Sequence, residues 1–238
     1  MCGRYTNQYT WAELHALYSI TEKYIRPIPK QAEPDWKPRF NIAPTTQVPV
    51  IIFEGGKRRI EMMRWGLVPA WSKEVGKFST FNARDDGIEA KPMFRGAWKA
   101  GRRCIIPASS FFEWQKRGSD KQPFAIALGN KGPMAFAGLW EEWTPKGGEP
   151  MRSCTLITCA PNKLMAELHD RTPVILGEED WPKWLGEEPA TAAEICAMLK
   201  PFAAQRMTTW PVGKAVGSVK NQGPELTLPV EPSALKNA

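Results

Sequence analysis

The sequence predicts an α+β fold, a single domain over residues 1–238 built around an antiparallel, barrel-like β-sheet with short flanking helices. Three observations predict it. Strand-length apolar runs outnumber helical ones. The runs arrive in pairs around turn residues, as hairpins do. The 238 residues include 22 prolines and 19 glycines, which keep the elements short. No stretch reads as a linker, so one domain suffices.

Each element has a local reason. Thr10-Trp-Ala-Glu13 is a capping box, and Trp11, Leu14, Leu17 and Tyr18 follow at helical spacing. Residues 26–38 read as irregular. Gln47–Phe53 is a strand, and Glu54-Gly-Gly-Lys57 turns it back into Arg58–Trp65. Residues 66–101 are loop-rich. Cys104–Pro107 and Phe111–Gln115 are short strands. Pro123–Leu128 and Met134–Trp140 form another predicted hairpin around Gly129-Asn-Lys-Gly132. Arg152–Cys159 is apolar on both faces, which places it centrally in a sheet. Pro161–Leu168 is a short helix with proline at its start. Asp180–Leu185 and Thr191–Lys200 are helical, the second opened by a Thr191/Glu194 capping box. Met207–Val212 and Val216–Val219 are late strands.

Composition narrows the function. There is no run of about 18 apolar residues to span a membrane, and residues 1–6 carry no apolar signal region. A reducing cytoplasm is therefore the expected compartment. The five cysteines, Cys2, Cys104, Cys154, Cys159 and Cys196, include no Cys-x-x-Cys pair, and there are only two histidines. No metal and no cofactor are expected. Four of the cysteines lie in apolar stretches and read as small buried hydrophobes. Cys2 has no such packing reason. Lys and Arg total 32 against 25 Asp and Glu, a net charge of +7. A basic surface with 11 tryptophans suits single-stranded nucleic acid, whose bases stack on aromatic rings.

Five places can carry chemistry, and each has a plainer reading beside it. Loss of Met1 gives Cys2 an amine and a thiol on adjacent carbons. The amine, with a pKa of about 7.7–8.0, is partly neutral at pH 7. It can form an imine with an aldehyde, and the thiol can close a five-membered thiazolidine. The same pair suits an N-terminal nucleophile hydrolase, and Cys2 also fits as an ordinary early cysteine. His169, between a short helix and an apolar strand, is placed as an acid–base group or as a cap. Glu113 stands among Phe111, Phe112 and Trp114. It is either a carboxyl with a raised pKa or an outward side chain on a strand. In Phe81-Asn-Ala-Arg-Asp-Asp86, Asn82 suits orienting a substrate and Arg84 suits holding a phosphate, or the stretch is a turn. Residues 39–45 and 64–71 mix arginine, aromatics and proline, as base-stacking surfaces and packed loops both do.

Read together, these places fall into one order. Met-Cys-Gly-Arg-Tyr at 1–5, Phe-Asn-Ile-Ala-Pro-Thr at 40–45, Trp-Gly-Leu-Val-Pro at 65–69 and Phe-Asn-Ala-Arg at 81–84 come first. Phe-Phe-Glu-Trp at 111–114, His-Asp-Arg-Thr-Pro-Val-Ile-Leu at 169–176 and Val-Lys-Asn-Gln-Gly-Pro-Glu-Leu at 219–226 follow. The chain resembles the SOS response-associated peptidase family, the SRAP-domain or abasic site processing proteins, from residue 1 to about 230. The resemblance implies that Cys2, freed of Met1, crosslinks to abasic sites in single-stranded DNA as a thiazolidine. It also implies self-processing peptidase chemistry at Met1 and weak AP-lyase activity. It gives Asn82 the task of holding the N-terminus and opened sugar. Glu113 relays protons, and His169 assists ring opening and closure. Arg84, Arg171 and Arg4 would contact phosphates, with Pro44 and Trp71 as wedge and stacking residues. The expected protein is a monomer, cytoplasmic and on the nucleoid if bacterial. Its expected partner is single-stranded DNA containing abasic sites. A cysteine peptidase acting on other proteins is the alternative. The resemblance assigns nothing to residues 20–37 or 177–210.

Overall fold

A computed structural model describes residues 2–20 and 36–231. Met1, and the stretch expected to be irregular as far as residue 35, lie outside the described residues. Among the described residues, thirteen strands run in chain order. They are β1 (Tyr5–Asn7), β2 (Arg39–Ile42), β3 (Gln47–Glu54), β4 (Lys57–Trp65), β5 (Asn82–Arg84), β6 (Arg103–Ala108) and β7 (Ser110–Arg117). β8 (Asp120–Leu128), β9 (Met134–Trp143), β10 (Met151–Cys159), β11 (Thr172–Pro173), β12 (Ile175–Leu176) and β13 (Met207–Pro211) follow. The helices are short: α1 (Trp11–Leu17), α2 (Arg95–Lys99), α3 (Lys163–Ala166), α4 (Trp181–Leu185) and α5 (Ala192–Ala197). Among the described residues, no helix is long and apolar enough to cross a membrane.

The α+β class holds, and the barrel is real. Pairings run from β10 to β4, β3, β6, β9 and back to β10, so five strands close on themselves. One seam is parallel: Ser153 and Cys154 of β10 stand opposite Arg64 and Trp65 of β4. Beyond that point β5 takes over the same edge of β10, pairing Asn82 with Leu156 and Arg84 with Thr158. β10 is thus central, as its two apolar faces require. A second sheet, ordered β13-β8-β7-β1-β2, is antiparallel throughout.

Aromatic packing joins the sheets. Tyr5 of β1 meets Trp65 and Phe136 edge-on at 5.2 and 6.0 Å, and Phe111 of β7 meets Phe136 at 6.0 Å. All four rings are fully buried. Burial contributes about 1.5–3 kcal/mol for each such side chain. Packing this tight leaves β1, and Cys2 just before it, one available position.

Several sequence expectations are confirmed locally. Both capping boxes form, at Thr10/Glu13 and Thr191/Glu194. The β3–β4 hairpin turns at Gly55 and Gly56, both at positive φ (63° and 77°), where glycine is unstrained. Three expectations fail. Pro123–Leu128 and Met134–Trp140 do not pair with each other. β8 lies between β7 and β13, and β9 lies in the barrel. The glycines at 129–132 do turn the chain, but Gly129 N–H donates to Arg206 O at 2.8 Å and the path crosses to the other layer. The true partner of β8 is β7, through a two-residue turn at Gly118 (φ 60°) and Ser119. Val216–Val219 is not a strand. Lys214–Gly217 is a 3-10 turn, because the Val216 side chain is buried against Phe112, Ala125, Val212 and Leu226. Cys196 is exposed rather than buried, since α5 is short and turns only Ile195 fully inward. Pro161 precedes α3, which Asn162 caps by accepting from Met165 N–H at 2.8 Å.

Candidate active site

The site forms where β1, β5 and β7 meet the turn after α3. Cys2 is 1% exposed, and its carbonyl accepts from Asn82 Nδ2 at 2.7 Å. That bond joins the start of the chain to the first residue of β5. Asn82 Oδ1 is buried and has no hydrogen-bond partner among the described residues. An orphaned buried acceptor costs about 1–3 kcal/mol. It is tolerated where a ligand supplies the donor.

Glu113 lies two residues beyond Phe111, which pairs with Tyr5 of β1. The strand alternation that buries Phe111 also turns Glu113 inward, where it is 2% exposed. Burial raises its carboxyl to about 7. It is then half-protonated near neutral pH and can give or take a proton. The Cys2 thiol is pushed far up, first by burial and then by the Glu113 charge. The thiol is therefore neutral and needs a base.

His169 sits in the turn between α3 and β11. Burial lowers its pKa. Its Nδ1 has two neighbours: the Arg171 N–H at 3.1 Å and Asp170 Oδ1 at 2.8 Å. The neutral ring accepts from the amide, whereas the protonated ring donates to the carboxylate. Gln115 ties this turn to β7 by donating to Glu167 O at 3.0 Å. Arg171 ties it to β5 and β10. Its guanidinium donates to Asp85 Oδ1 at 2.5 Å and to Thr158 O.

The expected DNA-contacting residues divide into two groups. Arg84 is exposed, with Nε donating to Asp86 Oδ1 at 2.9 Å. Trp71 is 55% exposed and stands edge-on to Phe78 at 6.0 Å. Pro44 is half-buried in the turn from β2 to β3. Arg171 and Arg4 are turned to the protein instead. Arg171 is 8% exposed, and Arg4 donates to Asn41 and to the carbonyls of Val216 and Gly217. Sequence reasoning gave Asn41 no role, although it lies in one of the motifs that carried the resemblance. Among the described residues, no cluster of His, Cys, Asp and Glu could hold a metal.

The fold and site define a basic α+β protein with its reactive candidate at the second residue. Residues 1–219 match the family described as SOS response associated peptidase (SRAP), and the chain belongs to it. The chain is 37% identical over 229 residues to the abasic site processing protein YoqW of Bacillus subtilis, covering 95% of this chain and 98% of that one. It is 34% identical to the abasic site processing protein YedK of Escherichia coli, covering 97% and 100%. It is 31% identical to the abasic site processing protein HMCES of Gallus gallus, covering 97% and 78%. A crystal structure of a Bacteroides thetaiotaomicron protein shares the fold, with a TM-score of 0.84, 24% identity and coverage of 96% and 100%.

Proposed function

We propose that this protein processes abasic sites in single-stranded DNA by capturing them covalently through Cys2 after Met1 is removed. One observation carries the reading. A buried Cys2, fixed by Asn82, shares its surroundings with a carboxyl that titrates near 7. The Cys2 amine adds to the aldehyde carbon of the opened sugar. Protonated Glu113 donates to the departing hydroxyl, which leaves as water and gives the imine. The thiol then adds to the imine carbon, and its proton returns through the Glu113 carboxylate. The product is a thiazolidine, formed with net loss of one water. Asn82 Oδ1 is the acceptor for a sugar hydroxyl or the reacting amine. His169 moves the proton that opens the sugar ring. If the imine is not consumed, β-elimination follows, so weak strand cleavage accompanies capture. Removal of Met1 uses the same thiol and carboxyl.

The exposed edge at Trp71 and Phe78 suits stacking of unpaired bases, and Arg84 suits a phosphate. A single strand presents the sugar without unstacking cost. The test is incubation of Met1-free protein with a single-stranded oligonucleotide carrying one abasic site, run on a denaturing gel. A heat-stable adduct that needs both Cys2 and the lesion is expected. Absence of that adduct removes the reading.

A further inference from the structure

Apart from Pro44, two motifs received no role above: Phe-Asn-Ile-Ala-Pro-Thr at 40–45 and Val-Lys-Asn-Gln-Gly-Pro-Glu-Leu at 219–226. They lie far apart in sequence and meet at Asn41, which also binds Arg4. Asn41, on β2, is fully buried. Its Oδ1 accepts from Arg4 Nη1 at 2.9 Å. Its Nδ2 faces the carbonyls of Val216, Ser218 and Asn221 at 3.1, 2.9 and 3.0 Å. Its own carbonyl accepts from Gln222 Nε2 at 2.9 Å. Arg4 adds bonds to Val216 O at 2.7 Å and Gly217 O at 3.0 Å.

We infer that Asn41 is a positioning residue for the reaction at Cys2. It clamps Arg4 against the segment 214–222 and so fixes the backbone that carries the reactive amine and thiol. This inference rests on the reading of Cys2 as the crosslinking group.

The geometry supports the inference at both ends of the clamp. β1 is a strand of only three residues. Upstream of it, the chain is held by Phe112 N–H donating to Arg4 O at 3.0 Å and by the Asn82 bond to Cys2 O. The Arg4 carbonyl also lies 3.9 Å from Cys2 Sγ. Arg4 thus has its backbone on the reacting residue and its side chain on the clamp. The clamp cannot drift, because Val216 is fully buried against Phe112, the neighbour of Glu113. Amine, thiol and carboxyl are referred to one rigid patch.

The three acceptors of the Arg4 guanidinium are uncharged protein oxygens. A phosphate-contacting arginine would instead hold its donors free for DNA. The two roles differ in what they do to rate and to affinity. A displaced reactive group slows the chemical step, by up to about a hundredfold for a shift of about 1 Å. A lost phosphate contact weakens binding and lowers the salt slope by about 0.7 on single strands.

The experiment measures crosslinking rate against DNA concentration for wild type, Asn41→Ala and Arg4→Met. Each protein is first shown by intact mass to have lost Met1. Affinity for a lesion-free strand of the same sequence is measured alongside. The expected result is a rate at saturating DNA lowered about tenfold or more in both variants. The half-saturating concentration and lesion-free affinity should stay within about twofold of wild type. Arg4→Lys, which keeps one donor and the charge, should recover part of the rate. Wild-type saturating rates in the variants overturn the inference, as does a loss confined to affinity. If Asn41→Ala does not fold, Arg4→Met and Arg4→Lys decide. If wild type itself forms no adduct, the reading of Cys2 has failed, and that outcome is distinct from failure of the clamp.

Discussion

Two clusters of ionisable side chains, one on the barrel and one beside the second sheet, behave in opposite ways. In the first, Arg152 of β10 donates to Glu142 at 3.0 Å, Glu61 at 2.8 Å and Glu54 at 3.0 Å. Its guanidinium also lies 4.7 Å from the Trp140 ring. Here charges meet opposite charges, and the cluster is a strut between β3, β4, β9 and β10. In the second, burial pushes the groups near Cys2 toward their neutral forms. The Glu113 carboxyl rises to about 7, the Cys2 thiol rises well above its usual range, and His169 falls. Ion pairing across strands holds a fold together, whereas burial that shifts titratable groups toward neutrality is what the proposed chemistry at Cys2 would use.

The largest way to test this contrast is Cys2→Ala, which should abolish the adduct on a denaturing gel while leaving the melting temperature nearly unchanged. Next is Glu113→Gln. It should slow both Met1 loss and crosslinking by about a hundredfold, since both need proton transfer at the N-terminal amine. Wild-type rates for both steps would remove Glu113 from the mechanism. The same variant tests the pH dependence. With its carboxyl raised from 4.5 to about 7, Glu113 supports folding in its protonated form. That contribution is full below 4.5 and is lost as pH rises through 7. Glu113→Gln should therefore gain thermal stability relative to wild type between pH 5 and pH 8, read by calorimetry.

Arg152→Met should do the reverse of Glu113→Gln. It removes the Arg152 partner of Glu61 and Glu142, while Glu54 keeps Arg59 at 3.6 Å, and should lower stability by about 1–2 kcal/mol, with crosslinking unchanged below the melting range. The smallest effect is expected for Arg84→Ala. Its guanidinium is exposed, so affinity for lesion-free single strands should fall modestly and the salt slope should shrink by about 0.7. An unchanged slope would remove Arg84 from the DNA path.

The sequence disclosed what is decided locally. Capping boxes at Thr10 and Thr191 and the Gly55-Gly56 turn are written within a few residues, and they form. The hairpin around Gly129–Gly132 failed because a turn signal does not say which layer the next strand joins. β1, β5, β11 and β12 span three residues or fewer, too short for periodicity to mark. Their partners, not their composition, make them strands. The site divides the same way. Cys2 was suspicious from position alone and Glu113 from its aromatic neighbours. Asn82 and His169 were candidates too, each beside a plainer reading as a turn or a cap, and their meeting with Cys2 was not legible because β5 reaches Cys2 through a barrel seam that no local pattern encodes. Asn41 stayed invisible because a buried asparagine on a strand looks like any other polar residue until its partners, more than 170 positions away, are known.

The most direct test is the mass of the crosslinked N-terminal peptide. After capture of a short abasic strand, nuclease digestion and trypsin, the peptide Cys2-Gly3-Arg4 should carry the sugar adduct with the loss of one water. The adduct should resist borohydride, as a thiazolidine does and an imine does not. An adduct on an internal lysine, or on a peptide still bearing Met1, would contradict the account.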